Sequence, residues 1–520
     1  MASMDAVIVG GGHNGLVAAA YLAKAGLQVL VLERRSIVGG ACVTEEIYPG
    51  FRASTLAYTC GLLRPEIKTD LELPSFGLEE HVYDPSLFQP FPDGRFLLYR
   101  NEEDWNRKQM AKFSKKDAAA WPRYARFWDE FAELVEPTLL VPPVSLADLA
   151  SFVRTPEAED FLRRIIFTSI ADMLDEFFES DEVKASLATS AVAGTMAGPR
   201  TPGTAFVLGH HTLGNIGGVK GVWGWSRGGM GGISEAIARA ARHHGAQIRT
   251  NADVARILTR DGRAVGVMLA DGTRVEARAV LSNADPKRTF LRLMHSEDLP
   301  REFVRAISRI RFESSSFKLN LALRELPDFR AVPGTTAQPH HKTIIDLAPS
   351  MDYLERAYDD AKRGRPSREP FLEFVIESAN DPTVAPPGMH TLTVSAKFAP
   401  FDLATGSWNT EGKAFADRII ELLEQYAPNI RRAVVAMDWR SPLTMEQEYG
   451  LTRGDVFHGA ILPYQMFSFR PVPGWSSYRT PVRGLYLCGA GAHPGGGVMG
   501  AAGHNAAMAV LEDWSELRSA

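Results

Sequence analysis

The chain has little cysteine, no long apolar run and no cluster of basic residues. Cys42, Cys60 and Cys488 are too few and too scattered for a disulfide framework or a zinc site, so we expect no bound metal. The net charge is −5 and there are no runs of lysine or arginine, so the sequence provides no basic surface for binding nucleic acid. These features do not exclude an apolar partner.

The N-terminal residues carry no basic stretch, and the apolar segment after them is interrupted by Gly10, Gly11 and Gly12. Neither a secretory signal nor a membrane-spanning helix fits this pattern. We expect a cytoplasmic protein, or one of an organelle matrix if a targeting segment is missing. A peripheral contact with a membrane stays open, and the sequence does not indicate an oligomeric state.

The chain opens with the pattern of a β-α-β unit. Residues 6–9 form a short apolar run, as in a strand buried on both faces of a parallel sheet, and 29–32 form a second one. Apolar residues at helical spacing lie between them, over 16–22. This unit is the usual carrier of a dinucleotide site.

A glycine-rich loop, Gly10-x-Gly12-x-x-Gly15, joins the first strand to the helix. Gly10 permits a tight turn, Gly12 allows the backbone to approach a pyrophosphate, and Gly15 allows helix and strand to pack closely. The helix N-terminus adds N–H groups and partial positive charge. At the helix start, His13 and Asn14 are expected to cap the helix or to contact the pyrophosphate.

The residues after the second strand indicate which dinucleotide binds. Glu33 would accept hydrogen bonds from the adenosine ribose. Arg34 and Arg35 could bind the 2′-phosphate of NADP, but Glu33 would repel that phosphate. An acid, a short basic stretch and then the pair Gly39-Gly40 resemble flavoproteins of the glutathione-reductase-like class. We therefore predict FAD.

Patterns typical of a nucleotide-binding domain occur in three separated segments of the sequence. We predict an α/β fold in which a glutathione-reductase-like, Rossmann-type FAD-binding domain is formed by residues 1–84, 226–292 and 475–520. A mainly helical segment, 85–225, and a mixed α/β segment, 293–474, are inserted and provide the α+β substrate domain. Helical spacing occurs in the first insert over residues 105–113, 118–135 and 159–177. The middle piece shows a helix at 233–244 and strands at 247–250, 254–259, 264–269 and 274–281.

The most distinctive stretch is near the C-terminus. An apolar strand at 485–488 leads into a glycine-rich loop and then, from about residue 498, a helix of small residues. The N-terminus of that helix would stabilise negative charge on a reduced flavin ring. Gly495-x-Gly497-x-x-Gly500 repeats the dinucleotide pattern, but no strand with a terminal acid follows. We expect no second nucleotide domain.

The run Cys488-Gly-Ala-Gly-Ala-His-Pro-Gly-Gly-Gly-Val-Met-Gly-Ala-Ala-Gly503 resembles the family that contains pyridine nucleotide-disulphide oxidoreductase domain-containing protein 2. This family is related to bacterial phytoene desaturases, carotenoid isomerases and retinol saturase. The opening Val-Ile-Val-Gly-Gly-Gly-His-Asn-Gly-Leu, the Val38-Gly39-Gly40-Ala41 segment and the Arg227-Gly-Gly-Met-Gly-Gly-Ile segment support the resemblance. Since these segments lie near the beginning, the middle and the end of the chain, the resemblance covers its full length.

The resemblance implies contacts along the whole cofactor. Val254 would lie beside the adenine, the loop after the last strand would line the ribityl chain and pyrophosphate, and the residues that begin the last helix would meet the flavin ring. Many flavoproteins of this fold have an aspartate where Ala490 stands. The predicted FAD-contacting residues are Gly10, Gly12, His13, Asn14, Gly15, Glu33, Arg34, Gly39, Gly40, Ala41, Val254, Asn283, Gly489, Ala490, Gly491, Gly497, Val498 and Met499.

Catalytic side chains are less evident. Cys42 follows the glycine pair, but no second cysteine occurs nearby, so dithiol chemistry is unsupported. His493 lies in a loop expected to pass near the flavin, where it would act as a catalytic acid or base or would fix the loop. Flavin chemistry needs no strong protein base, because the ring itself carries the reaction.

Three functions are compatible with these patterns. The first is hydride transfer between FAD and a small hydrophobic substrate, polyene- or lipid-like, as in a desaturase. The second is redox-neutral isomerisation of a polyene by FAD. The third is binding of a lipid or partner without flavin, as in Rab GDP-dissociation inhibitors; the intact glycine motifs and Glu33 argue against it. With no second cofactor domain, oxygen or a quinone is the expected electron acceptor.

Overall fold

The computed structural model of the chain describes residues 4–313 and 316–519. The strands in these residues belong to two large sheets and three small ones. In chain order they are β1 Met4–Val9, β2 Val29–Leu32, β3 Thr44–Tyr48, β4 Phe51–Ser54, β5 Glu80–Val82, β6 Leu87–Pro90, β7 Phe96–Tyr99, β8 Asn215–Ile216, β9 Val219–Lys220, β10 Gly224–Ser226, β11 Gln247–Arg249, β12 Val254–Arg260, β13 Arg263–Leu269, β14 Arg274–Ser282, β15 Ser316–Leu323, β16 Ile344–Leu347, β17 Leu372–Ile376, β18 His390–Lys397, β19 Val434–Arg440 and β20 Leu485–Leu487.

The α-helices lie between and beside these strands. They are α1 His13–Lys24, α2 Pro65–Asp70, α3 Glu103–Met110, α4 Lys115–Val135, α5 Leu146–Phe152, α6 Pro156–Ile166, α7 Ile170–Asp175, α8 Asp181–Val192, α9 Thr204–His211, α10 Met230–His243, α11 Pro286–Leu291, α12 Arg301–Arg309, α13 Met351–Lys362, α14 Trp408–Tyr426, α15 Ile430–Ala433, α16 Pro442–Tyr449 and α17 Ala501–Ser519.

The first sheet unites the three pieces that carry nucleotide-binding patterns. Its order is β11-β2-β1-β14-β13-β12, and β20 pairs with β14. Strands β11, β2, β1, β14 and β20 are parallel, whereas β12 and β13 join β14 as an antiparallel meander. Helix α1 packs against α10 and α17. The predicted α/β class and the strands predicted on either side of the first helix are thus confirmed.

The second sheet has the order β19-β15-β18-β17-β16-β6-β7. Its neighbours are antiparallel except for β16 and β6, which are parallel. The β6–β7 hairpin comes from the beginning of the segment 85–225, for which helices dominate the sequence pattern. It joins the second sheet because Phe88 is fully buried there, against Phe329.

The two faces of the second sheet differ in character. Along β15, Phe317, Leu319 and Leu321 belong to an apolar cluster that also contains residues of α14. Lys318 and Asn320 alternate with them and point the other way, because successive strand residues face opposite sides of a sheet. Their face lies against the region of β3 and β4, so polar groups are buried between the two sheets.

One predicted helix is wrong. The pattern over 159–177 is not a single helix, because α6 ends at Ile166 and α7 begins at Ile170. Ser169 ends the continuity: its hydroxyl accepts a hydrogen bond from the backbone N–H of Asp172 at 3.1 Å, which caps α7. The last helix also begins later than predicted, at Ala501, because Val498 has a positive φ of 60°.

Asp346 on β16 provides a prediction about stability. It is 1% exposed, and its Oδ1 has no hydrogen-bond partner in the described residues. Burial raises its pKa from an ordinary 3.8 to about 7. The folded state therefore binds this proton more tightly than the unfolded state, and the protein loses stability as the pH rises from about 4 to about 7.

Asp346→Asn removes this ionisation. We expect it to raise the free energy of unfolding by about 4 kcal/mol at pH 8 and by much less at pH 4, as measured by urea unfolding. Asp359→Asn, at a position of α13 where the side chain is 46% exposed, is the control and should change little at either pH. An equal effect of Asp346→Asn at both pH values would contradict the prediction.

Candidate cofactor site

A cleft of about 850 Å³, counting space open to solvent, lies at the carboxyl ends of the parallel strands of the first sheet. It is lined by residues that directly follow β1, β2 and β14 and by Ala490 in the loop after β20. Ligands of open α/β sheets bind at this edge. The predicted FAD-contacting residues that line it are Gly10, Gly12, His13, Asn14, Glu33, Arg34, Gly39, Gly40, Ala41, Val254, Asn283 and Ala490.

The glycines between β1 and α1 form a cradle that admits no side chains. Gly10 has a φ of +97°. A Cβ atom at Gly15 would lie 2.4 Å from the Gly10 carbonyl oxygen, and one at Gly12 would lie 2.7 Å from Nδ2 of Asn283. That Nδ2 donates a hydrogen bond to the Gly10 carbonyl oxygen at 3.3 Å. The backbone is thus held where a phosphate group can approach it.

Glu33 links the end of β2 to this cradle. Its Oε2 accepts a hydrogen bond from the backbone N–H of Gly11 at 2.8 Å, and its Oε1 accepts one from the backbone N–H of Arg35 at 2.8 Å. A carboxylate has about four acceptor positions, so positions remain for ribose hydroxyls. The Nη2 of Arg34 donates to the carbonyl oxygen of Gln447 at 2.8 Å.

Glu33→Ala should weaken FAD binding about 10- to 100-fold, because it removes acceptors for the ribose and leaves the Gly11 N–H without its partner. Quenching of flavin fluorescence during titration of the apoprotein measures this change. Glu46→Ala, at an exposed glutamate of β3, is the matched control. If Glu33→Ala bound FAD as tightly as Glu46→Ala does, the assigned role of Glu33 would be wrong.

Several polar atoms at the cleft have no partner in the described residues. They are Nε2 of His13, Oδ1 of Asn14 and Nδ1 of His458, and all three residues line the cleft. Burial lowers the pKa of His13 to about 4, so its imidazole is neutral at neutral pH and keeps one N–H donor. Together with the glycine cradle, these unpaired groups fit a ligand with phosphates and hydroxyls, as FAD has.

Sequence reasoning missed His458. It lies in a loop beyond α16, outside the glycine motifs, and has a positive φ of 57°. Its pKa is lowered by burial. The nearby acid is Asp285, whose carboxylate accepts hydrogen bonds from the backbone of Arg288 at 2.9 Å and from the hydroxyl of Thr452 at 2.7 Å.

The loop after β20 packs against the end of β14. A Cβ atom at Gly489 would lie 2.6 Å from the Asn283 carbonyl oxygen, and one at Gly491 would lie 2.3 Å from Cδ of Pro286. Gly15, Gly489 and Gly491 therefore do not line the cleft, but they allow the segments behind its wall to pack closely. The other predicted residues absent from the wall lie further along the same loop or at its end: Gly497, Val498 and Met499.

Comparisons with known proteins agree with this geometry. A model of the family described as flavin containing amine oxidoreductase matches residues 15–511. The chain belongs to this family. It is 43% identical to pyridine nucleotide-disulfide oxidoreductase domain-containing protein 2 of Rattus norvegicus, over 98% of this chain and 93% of that protein. The resemblance to this group is thereby confirmed, and the chain is an FAD-dependent oxidoreductase.

The similarity to more distant relatives also covers nearly the whole chain. A limonene dehydrogenase component of Castellaniella defragrans is 28% identical over 98% of this chain and 94% of its own length. Phytoene desaturase (lycopene-forming) of a Paracoccus strain is 27% identical over 98% of this chain and 97% of its own length. The structure of an oxidoreductase from Methanosarcina mazei has a TM-score of 0.62 at 20% identity and covers 98% of this chain and 100% of its own. It shows that the two proteins share a fold.

In this member of the family, His493 does not line the cleft. Its Nε2 donates a hydrogen bond to the carbonyl oxygen of Thr138 at 3.0 Å, and the side chain is 5% exposed. Burial lowers its pKa to about 4. Of the two roles considered for His493, the geometry favours fixing the loop to the helical segment.

A buried polar group on the second sheet was also missed from the sequence. Lys318 is 2% exposed, its Nζ has no hydrogen-bond partner in the described residues, and burial holds its pKa well below the ordinary value. The ring of Tyr58 lies 3.6 Å from that Nζ. Lys397, on the same face, donates to the Tyr58 hydroxyl at 3.1 Å and lies 3.7 Å from Glu373.

The cysteines of this family member are buried thiols. All three are free, and burial raises the pKa of Cys42 to about 12, so its thiol stays protonated. Over residues 4–313 and 316–519, no group of three or more histidine, cysteine or acidic side chains is arranged to hold a metal ion. In the same ranges, no helix combines the length and apolar character needed to span a bilayer.

Proposed function

We propose that the chain transfers a hydride between FAD and a hydrophobic substrate, as a desaturase or dehydrogenase does. The observation that carries this proposal is the apolar surround of the loop after β20. A Cβ atom at Gly496 would lie 2.6 Å from Cδ1 of Phe457, and one at Gly497 would lie 2.6 Å from Cδ1 of Leu62. Met499 is buried in the same apolar cluster.

This cluster continues into the helical segment. It includes aromatic residues of α4 and α9, among them Trp128, Phe131 and Phe206. The loop expected to meet the flavin ring is therefore continuous with an apolar interior that excludes water. Limonene and phytoene, which appear in the names of two relatives, are hydrocarbons, and this supports a substrate of the same character.

When bound, FAD supplies the group that accepts or donates the hydride. One polar side chain that holds this loop, His210, carries no charge at neutral pH. His210 is buried, its Nε2 donates to the Gly496 carbonyl oxygen at 2.9 Å, and burial lowers its pKa to about 4. It therefore fixes the loop without placing a positive charge beside an apolar substrate.

Anaerobic titration of the FAD-loaded protein with limonene, phytoene and a set of polar amines tests this proposal. We expect the apolar compounds to bleach the visible flavin band, because hydride transfer reduces the ring. Bleaching by the polar amines alone would contradict it. Isomerisation of a polyene by protein reduced beforehand, with no lasting change in flavin absorbance, would indicate the redox-neutral alternative instead.

A further inference from the structure

Arg470 is a buried cation whose hydrogen bonds all go to neutral groups. The residue is 2% exposed. Its Nε and Nη2 donate to the carbonyl oxygen of Ala490 at 2.9 and 2.7 Å. The remaining backbone acceptors are the carbonyl oxygens of Ala460, at 3.2 Å, Gln465, at 3.4 Å, Gly459, at 3.3 Å, and Phe457.

The protein neutralises this charge incompletely. Arg470 forms no ion pair with a carboxylate of the described residues, and the acid that influences it is Asp455. The Asp455 carboxylate accepts hydrogen bonds from the backbone N–H groups of Glu313 and Phe457, both at 2.9 Å. Burial outweighs the attraction of Asp455 and lowers the pKa of Arg470 to about 10, so the guanidinium stays charged at neutral pH.

The contacts of Arg470 converge on the cofactor cleft. Ala490 lines it from one loop, and Val456 and His458 line it from the loop to which Arg470 is also bonded. In a trans peptide, the N–H points away from the carbonyl oxygen. Because Arg470 holds the Ala490 oxygen, the N–H of Gly491 is directed to the opposite side.

These amide groups are otherwise unused. The backbone N–H groups of Ala490 and Gly491 have no acceptor within the described residues. Buried backbone N–H groups are rarely left unpaired in folded proteins. The combination of unpaired N–H groups and an incompletely neutralised guanidinium points to an anionic ligand on the cleft side of this loop.

We propose that Arg470 is a positioning residue for the cofactor: it orients the Ala490–Gly491 peptide, and the diphosphate of bound FAD balances its charge. The side chain acts through the loop and does not itself line the cleft. This inference rests on FAD binding, which the proposed function also requires, but not on the identity of the substrate.

The test compares FAD with riboflavin, which has the same ring but no diphosphate. Arg470→Met should weaken FAD binding by about 100-fold and riboflavin binding by less than about threefold. Arg470→Lys keeps the charge but not the fork of donors, so it should recover about tenfold of the loss. The affinity of the wild type for FAD should also fall with rising salt more steeply than its affinity for riboflavin.

Arg479→Met is the matched control. Arg479 is less buried than Arg470, with a side chain 38% exposed, and it pairs with Asp513 at 2.8 Å and Glu512 at 2.9 Å, away from the cleft. We expect Arg479→Met to bind FAD as the wild type does. Equal losses of FAD and riboflavin affinity in Arg470→Met would show a purely structural role and overturn the proposal, as would unchanged FAD affinity.

If neither variant at position 470 folds, the salt dependence of the wild type decides, and equal slopes for the two flavins would overturn the inference. Failure of the proposed function gives different results. A wild type that binds no FAD would refute both proposals before any variant is made. A wild type that binds FAD but is not bleached by any hydrocarbon would refute the substrate proposal and leave the test of Arg470 intact.

Discussion

Gly15→Ala is expected to weaken FAD binding by about 100-fold. The added methyl group would lie 2.4 Å from the Gly10 carbonyl oxygen, which is backbone and cannot rotate away. Helix α1 must then move away from β1, and its N-terminal N–H groups move away from the cleft with it. Titration of the apoprotein with FAD measures the loss, and the visible absorbance of the purified protein reports it directly.

Gly272→Ala adds the same methyl group in the turn before β14, where no atom lies within 4 Å of the new Cβ. Since Gly272 has a φ of +85°, that substitution costs about 1 kcal/mol of stability, but it should leave FAD affinity unchanged. The pair thus separates damage to the cradle from general destabilisation. FAD affinity within about threefold of the wild type in Gly15→Ala would show that the cradle tolerates a side chain.

The cradle could be predicted from the sequence because its parts are local. The spacing of Gly10, Gly12 and Gly15, and the acid at the end of β2, lie within one β-α-β unit, where strand and helix patterns fix their relative positions. The structure places Asn283 and Ala490, which were also predicted to contact FAD, at the same edge. Their place follows once β14 and β20 are known to run parallel to β1, because parallel strands share a carboxyl edge.

The roles of Arg470 and Lys318 could not be predicted in this way. Both depend on contacts between distant segments, and neither belongs to a motif. Arg470 follows the apolar stretch 464–469, but charged side chains are rarely buried, so its position in the sequence does not indicate a buried cation. Lys318 alternates with Phe317 and Leu319, which is typical of a strand with one solvated face, whereas here both faces are covered.

The break between α6 and α7 had a local signal that the apolar periodicity concealed. Ser169 is followed three residues later by Asp172, and a serine with an acid three positions on is typical of a helix N-terminus. In the structure, the Ser169 hydroxyl and the Asp172 carboxylate are 2.6 Å apart, in addition to the capping bond. Capping residues are therefore the better guide to a helix start where they disagree with the apolar periodicity.

Glu377→Ala should lower the free energy of unfolding by about 4 kcal/mol, because Glu377 joins β4 to β18 of the second sheet. Its Oε1 accepts hydrogen bonds from the backbone N–H of Ser54 at 2.9 Å and from the hydroxyl of Thr393 at 2.7 Å. Its Oε2 accepts one from the Ser54 hydroxyl at 2.9 Å. Removing the carboxylate leaves the two buried donors of Ser54 without an acceptor, whereas the Thr393 hydroxyl can still donate to Oδ1 of Asn320 at 3.2 Å. Urea unfolding measures the cost.

Glu377→Gln distinguishes the hydrogen bonds from the charge. Burial raises the pKa of Glu377, so ionising this carboxyl in the folded protein is unfavourable and an uncharged amide avoids that cost. The glutamine retains one acceptor oxygen, and we expect it to lose less than about half as much stability as the alanine. Equal losses would mean that the charge, and not the shared donors of Ser54 and Thr393, holds the second sheet against β4.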